Sequence, residues 1–510
     1  MDRRGFIKTA VTATVAAGSG MAQGGANSKR VDIDLRRDTQ PFPHYWEECA
    51  GSDRTAVAFR AQWQQDLVRA RELTGIKAVR CHGLFDDEMG VCRAIGQDGP
   101  QLSFLYVAEV FDKMLELGVK PFVELSFMPL PMASSRNTVF WYKGNTSPPA
   151  KMEHWSQLIT AFTAFCVKRY GIAEVGKWDF ECWNEPDIAF WSGQQSDYFE
   201  LYRATALAVK SVDRRIRVGG PATAMVAWIP QFVDYCARNN APVDFVSTHI
   251  YATDPQETIF GKDNAVPINE VMPRAFVQCH DQIRSSKLPK LPLLITEWAS
   301  QNPAFIGQML RDCAGLTENM SYWTFSNVFE EGGPATQFFN STFGMIGQRG
   351  VARPSLHAMT LAHRLGDKRL PASDGPVLAT QRADGSRAIL GWNLPPGRPR
   401  RGAGGGGFGR RADPVAQAKS EMEGDPLSLT FRFAGLGENS RARVTWIDMM
   451  RSSALPAWQA MGSPEYPTAG EIQKLRDAAA LPAAEERPVR NGELTIELPP
   501  SGLALVEVGK

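Results

Sequence analysis

Residues 178–191 read WDFECWNEPDIAFW, and this stretch is the point from which the rest of the chain is interpreted. A short aromatic-rich run ends abruptly in Asn184, Glu185 and Pro186. This pattern is typical of a β-strand that stops where a proline cannot continue it. The carboxyl group of Glu185 is therefore predicted to lie at the C-terminal end of a strand, facing whatever space opens there.

A second apolar run, LPLLITEW at residues 291–298, ends in the same way, with Glu297 followed by Trp298. An isolated glutamate at a strand end is most often a solvated loop residue. Two strands that both end in glutamate predict something more specific, namely two carboxyl groups that face one cavity. Cleavage of a glycosidic bond requires such a pair.

Strand-like runs alternate with amphipathic helical segments along the first two thirds of the chain. The strand-like runs lie at 42–46, 76–83, 119–126, 178–186, 216–223, 243–251, 291–298 and 320–328. Eight strand–helix repeats with short apolar strands predict an α/β fold, a closed (β/α)8 TIM barrel. This count places Glu185 at the end of the fourth strand and Glu297 at the end of the seventh. In such a barrel the functional residues lie at the C-terminal ends of the strands.

Several further segments resemble blocks of the retaining glycoside hydrolases of family 39, which includes β-xylosidases and α-L-iduronidases. Besides WNEPDIAFW and LLITEW, they are VRCHGLFDDEMGV (79–91), STHIYA (247–252), YWTFSNVFEEGG (322–333) and RPSLHA (353–358). A lone NEP is a weak signal, but six blocks in the family order are a strong one. The resemblance implies hydrolysis by double displacement through a covalent glycosyl-enzyme intermediate, with no cofactor and no metal.

The resemblance and the strand count together suggest a role for each polar residue at the strand ends. Glu185 is the predicted general acid and base, and Glu297 is the predicted nucleophile. The residues expected to bind the substrate are Asn184 at the sugar 2-hydroxyl, Tyr251 beside Glu297, His82 and His249 at ring hydroxyls, Trp298 as an apolar face, and Glu330, preferred to Glu331, at the distal hydroxyls. A structural role for either histidine stays open, because a lone histidine is often only a hydrogen-bonding residue.

Residues 1–22, with Arg3-Arg4 and a short, weakly apolar run ending in small residues, resemble a twin-arginine export signal. We therefore expect a periplasmic or secreted protein. Residues 23–41 form a strand that, by the resemblance, joins the accessory domain, and the barrel occupies 42–365. Residues 366–510 read as short strands separated by turns, which predicts a C-terminal β-sandwich with a Gly- and Arg-rich insertion near 395–414.

Composition and net charge limit the kinds of molecule that this protein is expected to bind. The net charge of +1 argues against a nucleic-acid or polybasic membrane binder, and 43% hydrophobic with 22% charged residues is typical of a globular protein. The apolar run of the signal is too short to span a bilayer. The eight cysteines include no CxxC pair or zinc-type spacing, and their disulfide state stays open, as does the oligomeric state.

The expected substrate is an oligosaccharide or other glycoside, and charge favours a neutral sugar. The resemblance places the cations that hold a uronate in the stretches that here read HIYATDPQ and VFEEGGPATQFF, and neither contains Lys or Arg. We therefore expect a β-D-xylosidase that releases xylose from chain ends. Asp187, found more often in iduronidases, leaves α-L-iduronide, arabinose, galactose or glucose units as alternatives. A non-catalytic carbohydrate-binding protein and a metal-dependent barrel hydrolase are the competing classes.

Overall fold

The computed structural model describes residues 27–340, 343–397, 413–437 and 440–509. The predicted export signal lies outside the described residues. So does most of the Gly- and Arg-rich insertion, of which 398–412 are not described.

The strands follow in chain order. They are β1 (Asn27–Asp34), β2 (Gln40–Pro41), β3 (Ala50–Arg54), β4 (Ala78–His82), β5 (Cys92–Gly96), β6 (Gly99–Leu102), β7 (Lys120–Leu125), β8 (Thr138–Val139), β9 (Gly144–Asn145), β10 (Asp179–Cys182), β11 (Arg217–Thr223), β12 (Phe245–His249), β13 (Leu293–Trp298), β14 (Asn319–Tyr322), β15 (Lys368–Arg369), β16 (Val377–Gln381), β17 (Arg387–Trp392), β18 (Leu427–Ala434), β19 (Arg441–Ile447), β20 (Glu485–Pro488), β21 (Glu493–Leu498) and β22 (Leu503–Val508).

The helices are interleaved with these strands. They are α1 (Ala61–Thr74), α2 (Leu105–Glu116), α3 (Met152–Tyr170), α4 (Ile172–Val175), α5 (Gln195–Val212), α6 (Ile229–Arg238), α7 (Gln256–Phe260), α8 (Ile268–Arg284), α9 (Pro303–Asp312), α10 (Pro354–His363), α11 (Pro414–Glu421), α12 (Leu455–Ala460) and α13 (Ala469–Ala478).

Helix ends follow local sequence rules. The helix α1 stops at Gly75, whose φ of 70° is left-handed and suits glycine. The helix α9 begins with Pro303 after Asn302, whose side chain accepts hydrogen bonds from the amides of Ala304 and Phe305.

Eight parallel strands close into a barrel in the order β3, β4, β7, β10, β11, β12, β13, β14. The predicted (β/α)8 barrel is thus confirmed. The first strand was placed wrongly, because residues 42–46 form no strand and β3 is Ala50–Arg54. The sequence AGSDR contains no run of apolar residues, so periodicity could not identify it as a strand. Its Gly51 has to be small, because a Cβ there would lie 2.1 Å from Trp323 Cε3. The small residue is needed for that close approach.

The C-terminal residues form two sheets packed face to face. One has the order β1-β18-β21, with β1 parallel to β18, and the other has the order β2-β15-β16-β17-β22-β19-β20. Their inner faces share one apolar core that includes Val31, Ile389, Phe431 and Val506. This is the predicted β-sandwich, and residues 27–34 at the start of the described chain belong to it rather than to the barrel.

The helices α12 and α13 connect the sandwich to the barrel. His357 on α10 donates from Nε2 to the carbonyl of Ala479, 2.7 Å away. Among the described residues, the helices are too short or too polar to cross a bilayer.

Candidate active site

The carboxyl groups of Glu185 and Glu297 meet at the C-terminal end of the barrel. Glu297 is the penultimate residue of β13, and Glu185 lies in the loop after β10. One carboxylate oxygen from each, together with one ring nitrogen of His249, forms a group in which all three atoms lie within 4.8 Å of one another. Two residues far apart in sequence therefore face one site.

The loop that carries Glu185 has an unusual backbone. Trp183 and Glu185 have φ values of 70° and 43°, in the left-handed region that costs a non-glycine residue about 1–3 kcal/mol. The amide of Glu185 donates to the carbonyl of Ala222, 2.8 Å away on β11. A neighbouring strand thus holds the acid in this conformation.

Arg80, on β4, organises the base of the site and is fully buried. Its guanidinium contacts Glu297 Oε1 at 2.8 Å, Glu181 Oε2 at 2.6 Å and Glu124 Oε2 at 2.9 Å. Its Nη2 also donates to Asn184 Oδ1 at 3.0 Å. One cation therefore orients the second carboxylate of the pair and the amide beside the first.

Glu297 accepts two strong hydrogen bonds. The hydroxyl of Tyr251 donates to its Oε2 at 2.9 Å, while Arg80 holds its Oε1. Burial raises the pKa of Glu297, and Arg80 opposes that rise. Because both donors favour the charged carboxylate, this residue is the one of the pair suited to be ionised.

Glu185 has fewer such donors. Burial raises its pKa to about 7, so its carboxyl group keeps its proton in mildly acidic solution. Its Oε1 lies 2.9 Å from Nδ1 of His249. Burial lowers the pKa of His249 to about 4, which leaves the imidazole neutral at pH 7. Glu185 and Glu297 therefore differ as a general acid and a nucleophile must.

His82 lies between three acidic residues. Its Nδ1 is 2.7 Å from Glu124 Oε2, and its Nε2 is 3.4 Å from Glu331 and 3.8 Å from Glu297. Burial favours the neutral ring, but Glu124 and the other acids outweigh it and raise the pKa of His82 well above its usual range. An imidazolium therefore lies beside the carboxyl pair.

Aromatic rings pack against His82. Trp323 lies 4.5 Å away between ring centroids, and Phe140 is stacked at 5.9 Å. Arg80 also lies over the ring of Trp323, with its guanidinium carbon 5.8 Å from the centroid. Trp323 and Phe140 supply apolar surface beside the site.

Two residues predicted to contact the substrate, Asn184 and His249, each have a buried polar atom without a hydrogen-bond partner. The amide nitrogen Nδ2 of Asn184 and Nε2 of His249 are buried without a hydrogen-bond partner in the protein. A buried polar atom without a partner costs free energy unless a ligand satisfies it. Both atoms are therefore available to a substrate beside the carboxyl pair.

The structure corrects the choice between Glu330 and Glu331. The carboxylate of Glu330 is bound by Arg54 Nη1 at 2.8 Å and by Arg60. Its neighbour Glu331 contacts His82, and burial raises the pKa of Glu331 to about 8. The carboxyl group that faces the site is thus that of Glu331, because the carboxylate of Glu330 is bound by Arg54 and Arg60.

Trp298 is also placed differently from the prediction. The pairing of β13 with β14 shifts register between Ile295 and Trp298, so the contacts of Trp298, and not simple alternation, show where its side chain lies. It is completely buried, its indole N–H donates to the carbonyl of Met320 at 3.0 Å, and its ring packs on Tyr322. Trp298 is a core residue and not an apolar wall of the site.

Three atoms of Glu185, His249 and Glu297 are close enough to ligate one metal ion. The guanidinium of Arg80, 2.8 Å from Glu297, brings a positive charge to that carboxylate. A second cation there would be repelled by this guanidinium. These residues fit proton transfer and nucleophilic attack better than metal ligation.

Sequence reasoning missed Arg80, left Trp323 without a role and ranked Glu331 below Glu330. Arg80 lies two residues before His82 on one strand, and such residues share a face. Alternation along β4 was therefore a signal that could have identified it. Trp323 and Glu331 follow β14 in an irregular segment, where no periodicity indicates the direction of a side chain.

Comparison with known proteins places this site in a family context. The profile of glycosyl hydrolases family 39 matches residues 29–394. The chain is 33% identical to a β-xylosidase of Geobacillus stearothermophilus, over 92% of this chain and 93% of that one. It is 23% identical to the α-L-iduronidase of Homo sapiens, over 91% of this chain and 76% of that one. A solved β-xylosidase from Caulobacter crescentus CB15 matches with a TM-score of 0.81 and 30% identity, over 94% of this chain and 99% of that one.

Proposed function

Because the chain belongs to the glycosyl hydrolases of family 39 and is a glycosidase that cleaves O-glycosyl bonds, we propose that it is a retaining, exo-acting β-D-xylosidase. It releases xylose from xylo-oligosaccharides. The observation that carries this proposal is the close approach of the Glu185 and Glu297 carboxylates, within 4.8 Å. Retaining enzymes hold their carboxyl groups about 5 Å apart, whereas inverting enzymes need a wider gap for water.

In the first step, a carboxylate oxygen of Glu297 attacks the anomeric carbon while the protonated Glu185 donates its proton to the glycosidic oxygen. The bond to the leaving group breaks, and a glycosyl ester with Glu297 forms. The contacts from Arg80 and Tyr251 keep the nucleophile ionised and oriented. The raised pKa of Glu185 keeps the acid protonated for this step.

In the second step, the now ionised Glu185 takes a proton from water, and the water oxygen attacks the anomeric carbon. The ester bond to Glu297 breaks, and the sugar leaves with its original configuration. Asn184 Nδ2 and His249 Nε2 are both buried and without a protein partner. The amide of Asn184 is placed to donate to a substrate hydroxyl, whereas Nε2 of the neutral His249, whose Nδ1–H donates to ionised Glu185, is placed to accept from one. A hydrogen bond to the 2-hydroxyl strengthens as positive charge develops in the transition state.

Charge favours a neutral sugar. The carboxyl group beside His82 belongs to Glu331, and the neighbouring arginines Arg54 and Arg60 are already bound by Glu330. A uronate would bring a further negative charge to this acidic side and would need an unpaired cation. Both the β-xylosidase relatives and the acidic surroundings therefore support xylose over iduronate.

A panel of aryl glycosides tests the substrate. We expect β-D-xyloside to be cleaved with the highest kcat/KM, unaffected by EDTA, and NMR to show β-xylose as the first product. Preference for α-L-iduronide, α-L-arabinoside or a hexoside would replace the proposed sugar but keep the mechanism. Initial release of α-xylose would contradict retention, loss of activity in EDTA would indicate a metal-dependent hydrolase, and no turnover of any glycoside would indicate a binding protein.

We also propose export through the twin-arginine route. The support is the sequence of residues 1–22 alone. Expression of the full chain in a Gram-negative host, with and without Arg3→Lys and Arg4→Lys, tests it. We expect activity in the periplasmic fraction for the original chain and retention in the cytoplasm for the double variant. Equal activity in the cytoplasm for both would contradict the proposal.

A further inference from the structure

A second cluster of metal-ligating side chains lies at the opposite end of the barrel, before the N-terminal ends of its strands. Its members are His44, Glu47 and His363. Glu47 lies three residues before β3, and its carbonyl accepts from the amide of Lys77, which directly precedes β4. His363 is the last residue of α10. The cluster thus joins the beginning of the barrel to its final helix.

The three side chains converge on one point. Nδ1 of His44 lies 2.6 Å from Glu47 Oε1, and Nδ1 of His363 lies 2.9 Å from the same oxygen. These three atoms all lie within 4.8 Å of one another. Tetrahedral zinc with bonds of about 2.0–2.2 Å holds its ligand atoms about 3.3 Å apart. An outward shift of about half an ångström would therefore admit the ion.

His44 also has the outer contact that metal-bound histidines use. Its Nε2 lies 3.3 Å from the carbonyl of Gly366, at the start of the accessory domain. A proton on Nε2, held by that carbonyl, would let Nδ1 ligate a metal ion in place of its hydrogen bond to Glu47. The ring is further fixed by stacking on Trp46, with centroids 4.6 Å apart.

The backbone beside the cluster leaves room only for these ligands. A Cβ on Gly75 would lie 2.4 Å from Nδ1 of His363 and 2.7 Å from Oε2 of Glu47. Glycine suits this position also because it ends α1 with a positive φ. Solvent reaches the cluster through His363, whose side chain is 40% exposed, while that of Glu47 is 7% exposed. An ion therefore has both a closed cradle and an entry.

The charges around the cluster permit a cation. Lys77 is the nearby lysine, and its ammonium is paired with Glu48 at 2.6 Å. The catalytic group differs, because there the guanidinium of Arg80 contacts the carboxylate that would have to ligate.

We propose that His44, Glu47 and His363 bind a divalent transition-metal ion, with zinc the best fit, as a structural site that links α10, the start of the barrel and the accessory domain. Water would complete the tetrahedral coordination. The ion takes no part in glycoside hydrolysis, which occurs at the other end of the barrel.

The experiment measures zinc in protein whose catalytic group cannot contribute. Glu297→Gln protein, stripped with a chelator and dialysed against micromolar zinc, should hold one zinc per chain. Addition of His363→Ala should abolish binding, whereas addition of His280→Ala, a histidine of α8 outside the cluster, should not. With Co²⁺ in place of zinc, we expect the intense visible absorption of a tetrahedral site, again lost only with His363→Ala.

Stability gives a second readout in the unmodified catalytic background. Saturating zinc should raise the Tm by about 3 °C when its concentration is about 100 times Kd, and neither His363→Ala nor Glu47→Gln should show the rise. Unchanged β-xylosidase activity in these two variants would show that they are folded. Absence of bound zinc in Glu297→Gln, or equal zinc in the His363→Ala protein, would overturn the proposal and leave a purely hydrogen-bonded cluster.

Discussion

The mouth of the barrel and the core of the accessory sandwich are both shielded from water, yet they contain opposite chemistry. At the mouth, Arg80, His82, Glu124 and Glu297 are buried together, and their contacts are ionic. In the sandwich, the cluster buried between the two sheets is apolar and includes Val31, Ile389, Phe431 and Val506.

The apolar sandwich core and the charged barrel mouth contribute differently to the stability of the fold and to catalysis. Burying apolar surface stabilises the fold by about 25 cal/mol per Å². Burying charges costs several kcal/mol for each ion, which their mutual attraction repays only when the geometry is good. The mouth accepts that cost, together with the unpartnered nitrogens of Asn184 and His249, because those groups serve the substrate. We therefore expect substitutions at the mouth to affect rates and substitutions in the sandwich to affect stability.

The largest effect is expected for Glu297→Ala. Loss of the nucleophile should lower kcat on aryl β-D-xyloside by about five orders of magnitude, with no loss of Tm, because a desolvated carboxyl group is removed. Azide should restore turnover and give a glycosyl azide of inverted configuration. Glu318→Ala, an exposed glutamate before β14, is the matched control. More than a hundredth of the original activity in Glu297→Ala would exclude this residue as the nucleophile.

Glu185→Ala should give the next largest effect. Without the acid, kcat/KM on xylobiose should fall by about three orders of magnitude. The fall should be much smaller for an aryl xyloside with a good leaving group, since such a group departs without protonation. Steady-state kinetics on a series of leaving groups measure this dependence. An equal loss for all leaving groups would contradict the assignment of Glu185 as the acid.

In the sandwich, Ile389→Ala should act in the opposite way. The side chain is fully buried between the two sheets, so its truncation should lower the free energy of unfolding by about 3 kcal/mol. The kcat/KM of the folded protein should not change. Val277→Ala, at a valine that is 45% exposed on α8, should change stability by less than about 0.5 kcal/mol. Denaturant unfolding and kinetics distinguish the two effects, and a loss of kcat/KM with Ile389→Ala would break the comparison.

The smallest effect is the pH dependence of the mouth. Glu185 acts in its protonated form and has a raised pKa of about 7. Below this pH the acid is protonated, and above it kcat/KM should fall about tenfold for each pH unit. Glu185→Gln should lack this limb when the residual activity of the variant and the activity of the original protein are both measured on xylobiose, whose leaving group needs the acid. A limb that persists in Glu185→Gln would assign the titration to another group, such as Glu331.

Particular residues show how far sequence reasoning reached. Glu185 and Glu297 end strong apolar runs, and the repeat of strand and helix predicted the barrel that brings those ends together. The first barrel strand was misplaced, because AGSDR has no hydrophobic period. Its Gly51 is required by the close approach of the Trp323 ring, which is a tertiary contact. Trp298 was assigned to the sugar, but a register shift at the end of β13 and a hydrogen bond to Met320 place its ring in the core.

The choice between Glu330 and Glu331 could not be made from sequence. Two adjacent acids in an irregular segment carry no period, and Arg54 and Arg60, which bind Glu330, lie more than 260 residues earlier in the chain. The buried network of Arg80 is of the same kind, since its partners come from β7, β10 and β13.

What the residues alone establish is the barrel, the sandwich and the two glutamates, because hydrophobic periodicity and strand-ending residues are local properties of the chain. Folding decides which charges meet and therefore which carboxyl group keeps its proton. Glu185 and Glu297 are the same amino acid at similar strand ends, and they differ because Arg80 and Tyr251 contact one and a neutral histidine contacts the other. Proton affinity depends on the surroundings in space, which no stretch of sequence contains.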